Sequence, residues 1–140
     1  MKRPTKGGVI TLLFSCIHII VTMFMYMERV EKPWGWYEEV FSETSNYKCK
    51  RLYVNPEQRF SLQSHDSRNE YWTVVQGTGH VVVGDSSKDI NVGDFIFVPR
   101  TTPHRLTGGE DGITIIEVQI GETCSEEDIL RLEDDYGRIE

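Results

Sequence analysis

Paired cysteines are the first thing this sequence lacks. It has three in 140 residues, Cys16, Cys49 and Cys124, with no CxxC. An odd number at such wide spacing is neither a disulfide framework nor a zinc knuckle, and fits free thiols in the reducing cytoplasm. Basic charge is also scarce. The formal net charge is −7, and the one basic run is MKRPTK at the start. With no basic stripe to lie along phosphates, nucleic acid is excluded as a partner. A small phosphate could still be held by a few focused Arg or Lys side chains. Internal repeats and low-complexity tracts are absent, and the length suits one domain with one core.

One long apolar run is present. Residues 9–27, VITLLFSCIHIIVTMFMYM, carry no charge and just reach the length of a membrane-spanning helix. Lys2, Arg3 and Lys6 precede them, no small-residue cleavage site follows, and Arg29 and Lys32 blur any orientation signal. Three readings stay open: an extension upstream of a start at Met27, a membrane anchor, or a buried or partner-bound segment. Membrane contact is expected only on the second. The domain itself is placed at 27–140, with 1–26 as an apolar extension.

From Glu28 onward, short apolar segments alternate with turn signals at roughly ten-residue spacing, which predicts an all-β sandwich or barrel. Strands are expected at 48–55, 59–65, 70–77, 79–85, 95–99, 104–107 and 112–121. Segments 70–77 and 79–85 are read as a hairpin about Thr78, and 66–69 and 85–90 as turns. Ser125, three residues before Asp128 and ahead of Ile129, Leu130 and Leu132, predicts a short C-terminal helix by its capping-box spacing. Trp34, Trp36, Tyr71 and Trp72 are expected to support the barrel.

The stretch SLQSHDSRNEYW at 61–72 raises the question of a metal. Gln63 and His65 share one face of a predicted strand, and the turn at 66–69 can return Glu70 to the same mouth. His104 follows a stiffened approach, VPRTTPH. Imidazole and carboxylate suit first-row divalent ions, though each piece alone is ordinary loop chemistry. Gly93-Asp94 makes a common turn, and His80 reads as a face-filling strand residue.

Taken together, SLQSHDSRNEYWTVVQGTGHVVVGD and GDFIFVPRTTPHRL resemble the two motifs of the cupin superfamily. More narrowly, KPWGWYEEV, RFSLQSH, RNEYW, PHRL, IIEVQIGE and EEDILRLEDDYGR resemble the type II phosphomannose isomerase cupin, over about residues 31–138. The resemblance implies a jelly-roll-like β-barrel and a metal-dependent isomerase that interconverts mannose 6-phosphate and fructose 6-phosphate. It implies Gln63, His65, Glu70 and His104 as ligands of a divalent metal, Zn²⁺ by preference. It also implies a sugar phosphate as the small-molecule partner, and pairing of two copies as a homodimer. The family's second motif histidine is replaced by Ser67, which favours an alternative: a non-catalytic cupin that binds a sugar phosphate. The Gly-rich loop of the guanylyltransferase half that accompanies this cupin in bifunctional proteins is absent. Within the expected site, Glu117 is the candidate general base, and Arg68, Arg105 and, less well placed, Lys50 are candidates for gripping phosphate. Arg105 is counted with Glu117 as catalytic.

Overall fold

The computed structural model describes residues 28–44 and 46–139. The apolar run at 9–27 lies outside them. Among the described residues, nine antiparallel strands form one strongly curled sheet: β1 Arg29–Lys32, β2 Gly35–Thr44, β3 Tyr47–Val54, β4 Leu62–Ser64, β5 Arg68–Val83, β6 Ser86–Asn91, β7 Phe95–Val98, β8 His104–Gly121 and β9 Leu130–Glu133. Strands run β1-β2-β3-β8-β4-β9, while β5 pairs with β6, β7 and β8. The two long strands β5 and β8 are therefore the spine. No helix occurs among the described residues, so none there is long and apolar enough to cross a membrane.

Three expectations are corrected. First, 70–77 and 79–85 are one continuous strand, with register shifts at 74–76 and 77–79. Gly77 has φ +75° and lies against Gly112, where a Cβ would overlap the Gly112 carbonyl oxygen. The glycine bends the strand without reversing it, as at a bulge. Segments 104–107 and 112–121 likewise merge into β8. Second, the reversal falls at Gly84 and Asp85, so 86–91 is strand β6, and Arg68 and Asn69 already belong to β5. Third, the C-terminal helix is absent. Ser125 Oγ accepts the Glu127 amide and Ser125 O the Asp128 amide, which closes one turn only. The Asp128 carboxylate instead accepts the amides of Asp66 and Ser67, and 130–133 pair with β4 as β9. Tertiary pairing overrides the local capping signal.

The inner face of the sheet follows period-two alternation. Val54 and Leu52 on β3, Val74 and Trp72 on β5, and Ile113 and Ile115 on β8 point inward and are buried with Phe60, Leu106 and Trp34. Each such side chain contributes about 1.5–3 kcal/mol by leaving water. Continuing along the same strands, the inward residues turn polar: Lys50 on β3, Glu70 and Arg68 on β5, Glu117 and Gln119 on β8, all buried. The register aligns this change. Leu52 and Val74 both oppose Ile115, and Lys50 and Trp72 both oppose Glu117. One end of the half-barrel is thus a dry core and the other a polar pocket. Trp34 and Trp72 are core residues, as expected. Trp36 sits outside against Tyr53, and Tyr71 faces outward beside Phe95 and Phe97.

Candidate metal centre

His65 directly follows the short β4, Glu70 lies on β5, and His104 opens β8. The fold brings one ligand atom from each within 4.8 Å of the others, and all three are buried. His65 Nε2 is 3.1 Å from Glu70 Oε1, and His104 Nε2 is 3.6 Å from Glu70 Oε2.

The two rings are oriented from behind. His65 Nδ1 bonds to the Asp128 carbonyl, and His104 Nδ1 lies 2.9 Å from the Thr102 carbonyl. A carbonyl only accepts, so each Nδ1 carries a proton and each Nε2 is turned toward Glu70. Burial, only partly offset by Glu70, lowers the His104 pKa and keeps that ring neutral. Its Nε2 is buried and has no hydrogen-bond partner among the described residues. Burial alone would raise the Glu70 pKa, but His65, His104 and Arg68 around it hold it well below the usual carboxylate range. A buried carboxylate facing two imidazole Nε2 atoms, one of them without a hydrogen-bond partner among the described residues, is a donor set of the kind that holds a divalent cation. Histidines braced through Nδ1 by carbonyls are the usual arrangement around metals. The residues fit a divalent ion.

Around them, Glu70 also accepts from Arg68 Nε at 3.1 Å, Trp72 Nε1 at 3.2 Å and Gln119 Nε2 at 3.4 Å. Gln63 opposes His104 across the β4–β8 ladder and lines the pocket. Its amide oxygen accepts the Ser61 hydroxyl at 2.7 Å. Ser67 uses its backbone to bind Asp128 and Glu122.

The pocket beyond the triad has a volume of about 110 Å³. Lys50, Arg68 and Glu117 line it. Burial above all, then the Glu70 charge, pushes the Glu117 carboxyl up to about 8. Gln119 Nε2 donates to it at 2.6 Å. Arg68 is more deeply committed than expected. It bonds Glu70, His65 Nε2 and the carbonyls of Ser125 and Asp128. Arg105 is not among the lining residues. Next to His104 in the strand, it donates to Phe60 O, Glu133 O and the Glu133 carboxylate. A reach to the same mouth does not follow from adjacency in a strand, where neighbours face opposite ways.

Several lining residues went unforeseen: Lys32, Gln119, Glu126, Arg131 and Arg138. Alternation along IIEVQ puts Gln119 on the face of Glu117, so that one was findable. Glu126 and Arg131 were hidden by the helix reading.

An all-antiparallel curled half-barrel with two histidines and a glutamate converging at its polar end defines a cupin. Oxalate decarboxylase from Bacillus subtilis superposes with a TM-score of 0.69 over 78% of this chain and 31% of its own, at 20% identity, a likeness of fold. The family model for the mannose-6-phosphate isomerase C-terminal region matches residues 22–134, and the chain belongs to that family. It is 40% identical over 111 residues to the alginate biosynthesis protein AlgA of Pseudomonas aeruginosa, covering 79% of this chain and 23% of that protein. It is 35% identical over 116 residues to the mannose-1-phosphate guanylyltransferase ManC of Salmonella typhimurium, covering 81% and 24%. The chain thus spans about a quarter of the length of these relatives.

Proposed function

We infer that the chain is a metal-dependent aldose–ketose isomerase acting on mannose 6-phosphate and fructose 6-phosphate. Membership of the isomerase family supports the substrate, and the orphaned His104 Nε2 beside Glu70 and His65 carries the metal. His65, Glu70 and His104 would hold the ion, with Gln63 joining them if it releases Ser61. Zn²⁺ suits the imidazole and carboxylate donors, although an oxalate decarboxylase of this fold is described with Mn(II) centres. A divalent ion held there would offset the negative charge that develops on the sugar oxygens.

The chain's own residues supply the rest. Glu117, with its pKa about 8, can take a proton from one carbon and return it to the next near neutral pH. Gln119 donates to Glu117 and leaves its own Oε1 without a partner among the described residues, ready to accept a sugar hydroxyl. The pocket cations would face the phosphate. Ser67 favours a second reading, a cupin that binds a sugar phosphate without turnover.

Metal analysis together with a coupled mannose 6-phosphate assay tests the proposal. Chelation and His104→Ala should each lower turnover at least about 100-fold, as loss of a metal's charge stabilisation does. Activity that survives both would end the isomerase reading. Saturable sugar-phosphate binding without turnover would establish the second.

A further inference from the structure

Lys50 is a cation in an unusual place. Only 4% of its side chain is exposed, its ammonium sits 4.1 Å from the Tyr37 ring centre, and it faces the polar pocket. Its cross-strand neighbour Glu117 takes its hydrogen bond from Gln119. Among the described residues, the carboxylate bonded to Lys50 is Glu126, which reaches in from the 122–129 segment and also lies 3.3 Å from Lys48. Lys48 has a further partner, Glu39, at 3.1 Å.

Glu126 is poorly built as a permanent partner. Its side chain is 47% exposed while Lys48 and Lys50 are nearly covered. It stands at the tip of the single turn closed by Ser125, while Asp128, two residues on, is pinned by the amides of Asp66 and Ser67. The carboxylate can therefore swing out without Asp128 letting go of His65. The pocket behind it, about 110 Å³, is also smaller than the roughly 300–1,000 Å³ of ligand clefts.

We propose that Lys48 and Lys50 form a seat for a phosphate group, that Glu126 fills this seat in the ligand-free protein, and that a phosphorylated ligand enters by displacing it. A phosphate dianion offers three acceptor oxygens where the carboxylate offers two, and twice its charge. The internal competitor lowers apparent affinity by the fraction of molecules in which it occupies the seat. This inference rests on the phosphorylated ligand of the proposed function, and not on turnover.

The test is calorimetric titration of inorganic phosphate into the wild-type chain, Glu126→Gln and Glu126→Gln/Lys50→Met at low ionic strength. Glu126→Gln should bind phosphate about tenfold more tightly than wild type, because the competitor is gone. The double variant should lose that gain. Equal affinity in wild type and Glu126→Gln, or a gain that survives Lys50→Met, would overturn the proposal. Side-chain carboxyl NMR of the wild-type chain is independent of the variants' folding. Phosphate should shift the Glu126 carboxyl resonance while leaving that of Asp128, held by the amides of Asp66 and Ser67, in place, and an unmoved Glu126 resonance at saturating phosphate would refute displacement. If the seat behaves as expected but mannose 6-phosphate is not turned over, the isomerase reading falls and the seat stands. Turnover with no effect of Glu126→Gln on phosphate affinity does the reverse.

Discussion

Glu117 is the residue whose burial does most to shape its chemistry. Burial, then the Glu70 charge, keeps its proton far above the ordinary range, at about 8, against the opposing pull of Lys50 and the Gln119 hydrogen bond. In the unfolded chain the same group titrates near 4.5. The folded protein therefore binds more protons than the unfolded one between those values, and this group's contribution to stability falls as pH rises from about 4.5 to 8. Glu117→Gln keeps the shape and removes the titration. In chelator, the unfolding free energy of Glu117→Gln relative to wild type should climb steadily across that window in urea titrations at several pH values. A difference that stays flat with pH would mean Glu117 is ionised in the fold. The sequence placed Glu117 on the right strand because alternation is visible in IIEVQIG. It could not show the burial, which depends on β3 and β5 closing over β8.

At the scale of elements, the pocket is made by strand lengths. The expectation of many short strands followed from glycines at 77, 79, 84, 108, 109 and 112, each a turn signal in isolation. In the structure Gly77 and Gly112 let two long strands bend past each other in close contact, and only Gly84 marks a reversal. Local chemistry was read correctly and its consequence was not, because a glycine permits a bend and a turn equally. The convergence of His65, Glu70 and His104 was legible since they sit at or near strand ends, where spacing limits their positions. The helix expected from Ser125 through Leu132 does not form because the partners that decide this stretch, the amides of Asp66 and Ser67, lie some sixty residues away. Gly77→Ala tests the bend. A methyl group there meets the Gly112 carbonyl and forces a positive φ on alanine, so stability should drop by about 2 kcal/mol or more in denaturant titrations. A loss within a few tenths of a kcal/mol would show that the spine can relax around the added carbon.

For the whole molecule, the division of the half-barrel into an apolar end and a polar end carries a thermodynamic consequence. The apolar end, from Phe60 and Trp34 through Ile113 and Ile115, holds the fold by burial. The polar end buries Lys50, Arg68, Glu70, His104, Glu117 and Gln119, and groups of that kind cost free energy unless they are paired. Glu70 and Arg68 are paired, but His104 Nε2 and Gln119 Oε1 are not among the described residues. The polar end is thus assembled ahead of its ligands, at a cost to the free protein. A ligand that completes it should then return stability to the entire sheet, because β8 carries His104 and also contributes Ile113 and Ile115 to the core. Zinc at about 100 times its dissociation constant should add about 2.7 kcal/mol, and raise the melting temperature by on the order of 10 °C. A chelator should reverse the rise. His104→Ala should abolish it, and Arg105→Ala, on the opposite face of the same strand, should leave it in place. An equal rise in His104→Ala would locate the ion elsewhere, and the orphaned imidazole would then need another partner.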